Sequence, residues 1–332
     1  MLRLFLLLTF SIATVYSLHS QTFVEEYNLK IYHAEDKIIF ESYCDATDLY
    51  RKISSEFYIY NNDLQNALIC ALLCDNADLI EYFSKKLLER GAPVRYFEEN
   101  YYEFEFFSSD SWETLQNSEI EYTFTPEIRG KIEEMVTRDQ RDRSNPRERA
   151  MDDFKNLLIL NEIVTKYGFP TEKDLGFDFL GESDRTEYNR WFRLIMIHLT
   201  KLQPWDFGEI LPDLYLEGTI SRHQFIHLYP NILFCDQSPI TCIPAPATNF
   251  LMLDDILLSC NDELKKEIDL ARSTFYLDSI ESQLKKSIYR RNSTHPWLIG
   301  EGFSIFYYNE ETGNLTERIE GFKSEGLVPV SY

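Results

Sequence analysis

The chain has 332 residues, of which 44% are hydrophobic, and its 55 acidic and 33 basic residues give a formal net charge of −22. A chain this acidic repels phosphate backbones, so we expect no nucleic-acid partner. At about 150 residues per domain the length predicts about two domains. Because it has only 12 Gly and 12 Pro residues, we predict a mainly α fold of helical hairpins or a helical bundle, with a small C-terminal β-hairpin.

Residues 1–20 have the pattern of a secretory signal peptide. Arg3 provides the basic start, and the apolar stretch from Leu4 to Leu18 is too short for a membrane span. An uncleaved anchor helix is the alternative. No later segment has 18 consecutive apolar residues, so we expect a soluble, exported protein, periplasmic or secreted, with no membrane span in the mature chain.

An even number of cysteines in an exported chain permits disulfides. Cys235 and Cys242 flank a turn-prone loop and are the favoured pair. Cys70 and Cys74 lie one helical turn apart, and for them we predict buried thiols. The chain has no paired CxxC motif, and we predict neither a metal site nor a cofactor.

Residues 24–93 are predicted to form a segment of helical hairpins. The block Cys44–Leu49 (CDATDL) recurs thirty residues later as Cys74–Leu79 (CDNADL), which is near the length of a helix–turn–helix repeat. This part is weakly similar to tetratricopeptide-like hairpins, although a chance match is the alternative. Residues 94–125 then form an aromatic and acidic connector. Its two-residue alternation at 103–106 and 120–124 predicts short strands, or else a strap laid across the helices.

Residues 126–298 are predicted to form a helical domain, and residues 299–332 a β-hairpin. Thr125-Pro126 and Asn145-Pro146 have the pattern of capped helix starts. In the second of these helices, Phe154, Leu157, Leu158 and Val164 would form the apolar side. Further helices are predicted over Thr186–Leu202, Phe207–Leu216, Phe250–Leu258, Asp262–Arg272 and Ile280–Arg290. The hairpin would pair Phe303–Tyr308 with Leu315–Phe322.

Helical phase places two titratable groups on apolar faces. Asp139 continues the stripe of Ile128, Ile132 and Met135, and His198 lies on the stripe of the helix over Thr186–Leu202. A buried carboxylate and a buried imidazole each need a partner, and a pair of this kind orients general bases. Asp139 and His198 are therefore the candidate catalytic residues. The alternative is a structural role for each, with Asp139 paired to Arg141 or Arg143. Arg138, Arg141 and Asp142 are expected to stay in water.

Four residues near these stripes are candidate binding residues: Gln140, Arg143, Tyr167 and Trp191. The basic residues Lys285, Lys286, Arg290 and Arg291 are interpreted as favourable helix-end charges and only secondarily as a docking patch.

The motifs Asp139-Gln140 with a nearby arginine, Tyr167-Gly168-Phe169-Pro170, and a helix-borne His198 resemble a bacterial domain-of-unknown-function family over about residues 126–230. Members usually carry glutamine before the histidine, where this chain has Ile197, and a later Tyr-Gly-Thr-Gln run that this chain lacks. The resemblance implies no reaction, cofactor or partner.

These patterns leave the function, and whether the protein is an enzyme, open. The preferred interpretation is a binding protein for a peptide, a protein or a glycan, in which the helical hairpins and aromatic connector form a groove. The alternative is a hydrolase-like enzyme that uses Asp139 and His198. No nucleophile elbow, HExxH helix or phosphate-binding loop is present.

Overall fold

The computed structural model describes residues 23–141, 145–180, 185–200, 207–232, 248–253, 256–295, 303–307 and 327–329. This part of the chain is mostly helical, as predicted. The predicted signal peptide, Arg143, and the Cys235–Cys242 pair lie outside it. None of the helices among the described residues has the length and apolar character needed to cross a bilayer.

The described residues fall into two compact units. The first contains those of 1–32, 208–218 and 222–332, and the second those of 33–207 and 219–221. The predicted domain boundaries at 93, 125 and 298 remain predictions.

The helices are α1 (23–39), α2 (Tyr43–Glu56), α3 (Asn61–Leu73), α4 (Ala77–Glu89), α5 (Val94–Tyr101), α6 (Asp110–Gln116), α7 (Pro126–Asp139), α8 (Pro146–Tyr167), α9 (Glu172–Leu175), α10 (Tyr188–Thr200), α11 (Phe207–Leu216), α12 (Arg222–Ile232), α13 (Asp262–Thr274) and α14 (Ile280–Asn292), with a 3₁₀ helix at Glu105–Ser108. The strands are β1 (Phe179–Leu180), β2 (Arg185–Thr186), β3 (Thr248–Leu253), β4 (Ile256–Cys260), β5 (Phe303–Tyr307) and β6 (Leu327–Pro329).

Helices α2, α3 and α4 form two consecutive hairpins in the second unit, with α3 packed against both neighbours. A disulfide joins Cys44 to Cys74, with the sulfur atoms 1.99 Å apart. The prediction of a free, buried thiol at Cys74 is therefore wrong, whereas Cys70 is buried and free. The two bonded cysteines are the first residues of the two similar six-residue blocks, so the recurring residues mark the ends of a covalent link.

The strand predicted at 103–106 in the aromatic connector does not form: residues 103–104 lie in a turn, and residues 105–106 begin the 3₁₀ helix. The rings of the connector pack on one another, since the ring centroid of Trp112 lies 4.9 Å from that of Phe97 and 5.0 Å from that of Phe107. These three rings come from α6, α5 and the 3₁₀ helix, so short helices bring the aromatic side chains together. Residues 119–125 form neither helix nor strand. They follow the strap alternative, because the backbone N–H of Thr123 donates to Glu89 O and that of Thr125 to Asp174 O.

Helices α7, α8 and α10 form a three-helix layer in the second unit. Near its start, α7 reaches the loop after α9 through Arg129 Nε, which donates to Leu175 O at 2.7 Å. Asn189, near the start of α10, donates to Gly176 O in the same loop. Helices α7 and α10 are thus parallel. Helix α8 runs antiparallel to α7, because Lys131 pairs with Glu162 whereas Arg138, farther along α7, contacts the earlier Asn156.

The loop after α9 requires glycine at position 176. Gly176 has φ of +75°, and a Cβ there would lie 2.0 Å from Nη2 of Arg129 and 2.5 Å from the carbonyl oxygen of Arg90. No other residue type fits a backbone that approaches so closely in this left-handed conformation. The glycine therefore lets Arg129 reach the loop that lies beside the starts of both α7 and α10.

Local capping explains where several helices begin. Asn145 accepts from the N–H groups of Arg147 and Glu148 at the start of α8, and Thr171 forms a capping box with Asp174. Thr125, in contrast, makes no capping bond to α7, and its hydroxyl instead donates to Asp174 Oδ1 at 3.4 Å. The predicted helix start is confirmed, but the predicted hydroxyl cap is not formed.

Helix α8 buries a face that is rotated from the one predicted, and Leu157 and Val164 of the predicted side are half-buried. Its buried residues are Asp153, Asn156, Leu160 and Ile163. By contrast, Phe154 and Leu158 are 57% and 54% exposed. The prediction that these two face the core is wrong, and Asn156 lies on the buried face instead because Arg138 and the Met135 carbonyl of α7 bind it.

In the first unit, β5, β3, β4 and β6 form one sheet in that order. The predicted helix over Phe250–Leu258 is wrong, since β3 and β4 pair antiparallel with Leu253 opposite Ile256. Short apolar runs of this length fit a buried strand as well as a helix, and periodicity alone does not separate them. The predicted C-terminal hairpin is not confirmed. Its first arm contains β5, which pairs parallel to β3, and its second arm lies outside the described residues.

A buried ionic cluster, which we call the Asp278 cluster, joins α13 to α14 in the first unit. Arg272 donates to Asp278 Oδ1 at 2.9 Å and Lys286 to Oδ2 at 2.6 Å, and the side chains of Gln283 and Ser282 also donate to this carboxylate. Lys286 is 1% exposed, so it is not part of a basic docking patch. Its neighbour Lys285 is exposed and pairs with Glu281.

Candidate functional site

Asp139 and His198 form a hydrogen-bonded pair, which we call the acid–base pair. Nδ1 of His198 lies 2.8 Å from Oδ1 of Asp139. The Asp139 side chain is 1% exposed and that of His198 is 25% exposed. An ionised carboxylate can only accept, so with Asp139 ionised it is Nδ1 of His198 that donates in this contact.

Asp139 is placed by the apolar face of α7. Ile128, Ile132 and Met135 are buried at spacings of four and three residues, and Asp139 follows four residues later as the last helical residue. Its side chain therefore turns toward α10 together with the core residues. Gln140, the next residue, donates from Nε2 to Oδ2 of Asp139 at 2.9 Å, so each carboxylate oxygen has a partner.

His198 is placed at the edge of the buried face of α10. Phe192, Ile195, Met196 and Leu199 are all nearly inaccessible to solvent, whereas His198 keeps a quarter of its side chain exposed. Because α7 and α10 are parallel, the C-terminal ends of both helices meet at this pair.

A second layer of contacts supports the last turn of α7. Asn156 of α8 is buried, and it accepts from Nη1 of Arg138 at 2.7 Å and donates to the carbonyl oxygen of Met135 at 3.1 Å. Arg138 also pairs with Glu134 at 2.7 Å and keeps only 14% of its side chain exposed. The expectation that Arg138 stays in water is therefore wrong.

Asn156 was missed because a polar residue next to a charged one, here Lys155, is interpreted as solvent-facing. The only indication that Asn156 is buried is its position in the helix, since Asp153, Asn156, Leu160 and Ile163 recur at helical spacing on one side of α8. Such a mixed stripe is ambiguous until the residues of the partner helix are known.

The other predicted binding residues are distributed along the layer. Gln140 joins the pair through Asp139. Trp191 lies seven residues before His198, about 10 Å along α10 at 1.5 Å per residue, and packs against Tyr188 with ring centroids 5.3 Å apart. Tyr167 lies at the opposite end of the layer, because α8 is antiparallel to α7, and its hydroxyl contacts Lys166 Nζ at 2.6 Å. The structure thus brings Gln140, but neither Trp191 nor Tyr167, to the acid–base pair.

Within the part of the chain that the structure describes, no group of three or more His, Cys, Asp or Glu side chains is arranged to hold a metal ion. In the described site, Asp139 holds the ring of His198 through Nδ1, and Gln140 holds the carboxylate through Oδ2; an arrangement of this kind suits proton transfer at an imidazole.

Comparisons of the chain with protein-family models, with curated proteins and with solved structures give no significant match. They do not bear on the resemblance described above, which stays a prediction, and the function is argued from the site alone.

Proposed function

We propose that this protein is a hydrolase-like enzyme in which His198, oriented by Asp139, acts as a general acid–base. The observation that carries the proposal is the 2.8 Å contact of Nδ1 with a buried carboxylate while the ring stays partly exposed. A structural pair has no need of exposure, whereas a general base must reach its substrate.

In the proposed reaction, Nε2 of His198 takes a proton from a water molecule as the water oxygen bonds to the electrophilic atom of the substrate. Asp139 stabilises the imidazolium that forms. The imidazolium then returns the proton to the leaving group as its bond breaks. Proton and electron pairs balance with water as the nucleophile, so the mechanism does not depend on a serine or cysteine side chain.

The test is a panel of chromogenic esters, phosphoesters, glycosides and peptides, assayed with wild type, His198→Ala and Asp139→Asn. We expect the wild type to hydrolyse at least one class and His198→Ala to lose about 100- to 10,000-fold in kcat/KM, the range for general acid–base catalysis. His33→Ala is the matched control, because His33 is exposed on α1. Equal activity of wild type and His198→Ala on every substrate would refute the proposal.

We also propose that the protein is exported. Support comes from the Cys44–Cys74 disulfide, because Cys44 is exposed and such bonds persist in oxidising compartments. Mass spectrometry of protein purified from cell envelope and culture medium tests this. We expect a mature N-terminus near residue 21 and an oxidised Cys44–Cys74 pair. An intact residue 1 on that protein, or free thiols at both cysteines, would contradict export with signal cleavage.

A binding function is the second candidate, supported by two exposed rings of the aromatic connector. Tyr102 and Tyr122 are 77% and 59% exposed and lie beside exposed acidic residues such as Glu103 and Glu121. Such rings suit stacking on a sugar or a peptide. A glycan array probed with wild type and with the Tyr102→Ser, Tyr122→Ser double variant tests it, with signals lost in the variant as the expected result.

A further inference from the structure

We propose that Asn156 is a positioning residue for the acid–base pair, which it serves by holding the last turn of α7. This inference rests on the proposed function, because it concerns how Asp139 is presented to His198. Asn156 touches neither of these side chains in the contacts that place it; it acts on the backbone and the side chain next to Asp139.

The first step is the carbonyl that Asn156 binds. In an α-helix the N–H of residue 139 donates to the carbonyl of residue 135. Asn156 Nδ2 donates to that same oxygen of Met135 at 3.1 Å. A carbonyl oxygen has two lone pairs, so the side chain of α8 and the backbone of Asp139 share one acceptor. The position of Asp139 along its own helix is thereby tied to α8.

The second step is the side chain beside Asp139. Arg138 donates to Oδ1 of Asn156 at 2.7 Å and to Glu134 at 2.7 Å. Asn156 therefore uses both ends of its amide on one turn of α7, once on the backbone and once on Arg138. Helix ends otherwise fray, and Asp139 is the last residue of α7. A carboxylate at such a position keeps a fixed distance to a partner on another helix only if that last turn is held.

The third step is the burial of Asn156, which is 1% exposed. A buried amide is tolerated when it is hydrogen-bonded, and the two contacts with α7 give both its nitrogen and its oxygen a partner. Leucine at 156 would fit an apolar helix–helix contact, as Leu160 one turn later does. Because leucine has a similar volume and no hydrogen bonds, Asn156→Leu removes the clamp with little change in packing.

The experiment measures the proton on Nδ1 of His198 by NMR of histidine-labelled protein, with the signal assigned by its loss in His198→Gln. In wild type we expect a slowly exchanging Nδ1–H, which Asp139→Asn abolishes. Asn156→Leu should speed its exchange with water about tenfold, the effect of one weakened hydrogen bond. Asn161→Leu, on the exposed side of α8, should leave it unchanged. In hydrolysis assays Asn156→Leu should have a lower kcat and an unchanged KM.

A second variant keeps the test decisive if Asn156→Leu fails to fold. Arg138→Met removes one arm of the clamp from a residue nearer the surface, and a smaller acceleration of exchange is expected. An unchanged Nδ1–H signal in folded Asn156→Leu or folded Arg138→Met would overturn the positioning role. If instead the signal responds as expected while no variant or wild type hydrolyses any substrate, the positioning role stands and the hydrolase proposal fails.

Discussion

Two buried carboxylates in this protein each bind a basic side chain, and they differ in how much of that partner reaches solvent. Asp278, in the first unit, is bound by Arg272 and Lys286, which are 0% and 1% exposed. Asp139, in the second unit, is bound by His198, which keeps 25% of its side chain exposed. In the Asp278 cluster the charges are withdrawn from water together, whereas the acid–base pair leaves the titratable ring within reach of solvent.

We expect this difference to separate a structural role at Asp278 from the proposed chemical role at Asp139. A carboxylate surrounded by buried cationic donors is held in its ionised form, and its removal leaves its partners charged in a low-dielectric interior. A carboxylate that orients a partly exposed imidazole lets the ring gain and lose a proton without unfolding. The comparison therefore makes opposite predictions for stability and for activity at the two sites.

The largest expected effect is that of Asp278→Asn. This change leaves Arg272 and Lys286 buried without their counter-charge, so we expect a loss of about 3–5 kcal/mol in the free energy of unfolding. Urea titration followed by circular dichroism measures it, with hydrogen exchange of α13 and α14 to localise the change. Glu281→Gln, in an exposed pair with Lys285, is the control and should be neutral. A loss no larger than the control's would show that the Asp278 cluster does not stabilise the first unit.

Asp139→Asn should cost less stability and more activity. Its partner His198 can be neutral and partly hydrated, so we expect a loss of about 1–3 kcal/mol in the free energy of unfolding. Hydrolysis should nevertheless fall about 100- to 10,000-fold if the pair is catalytic. The two measurements are made on the same preparation. A destabilisation equal to that of Asp278→Asn, with unchanged hydrolysis, would make the two carboxylates equivalent and the acid–base pair structural.

The Asp278 cluster should also weaken in acid. Burial alone would raise the pKa of Asp278, but the adjacent charges of Lys286 and Arg272 hold it well below its ordinary value of 3.8. A carboxyl with a lowered pKa in the folded state contributes stability above its unfolded pKa, and this contribution is lost as the pH falls below that value. Wild type should thus lose about 1.4 kcal/mol per pH unit below about pH 4, relative to Asp278→Asn. Parallel pH curves for the two proteins would contradict this.

Local signals in the sequence were sufficient for the helices that frame the acid–base pair. Pro126 marks the first residue of α7, Asn145 caps α8, and Gly168, with φ of +88°, lies just past its end. The inward direction of Asp139 and His198 also follows from periodicity, because each continues an apolar stripe. Features of this kind depend on residues within a few turns of one another.

Features that depend on distant partners were not predictable in this way. The link from Cys44 to Cys74 joins residues 30 positions apart. Strands β3 and β4 replaced a predicted helix because pairing with β5 and β6 gives their apolar runs a sheet in which to lie. Asn156 lies on the buried face of α8 because Arg138 and the Met135 carbonyl of α7 bind it, and the buried face is therefore rotated from the one predicted.

Substitutions on the exposed side of α8 have the smallest expected effect on stability. They test whether that side of the helix is open to solvent while the other side is buried. If the outer side of the three-helix layer is open, Phe154→Ser and Leu158→Ser should change the free energy of unfolding by no more than about 0.5 kcal/mol. Leu160→Ala, on the buried side of the same helix, should cost about 2–5 kcal/mol. Thermal and urea unfolding of the three variants decides between the two faces.

Large losses of stability at 154 and 158 with a small loss at 160 would restore the face that periodicity predicted. That result would also move Asn156 to the surface and remove the clamp on Asp139, so this modest measurement bears directly on how the acid–base pair is held.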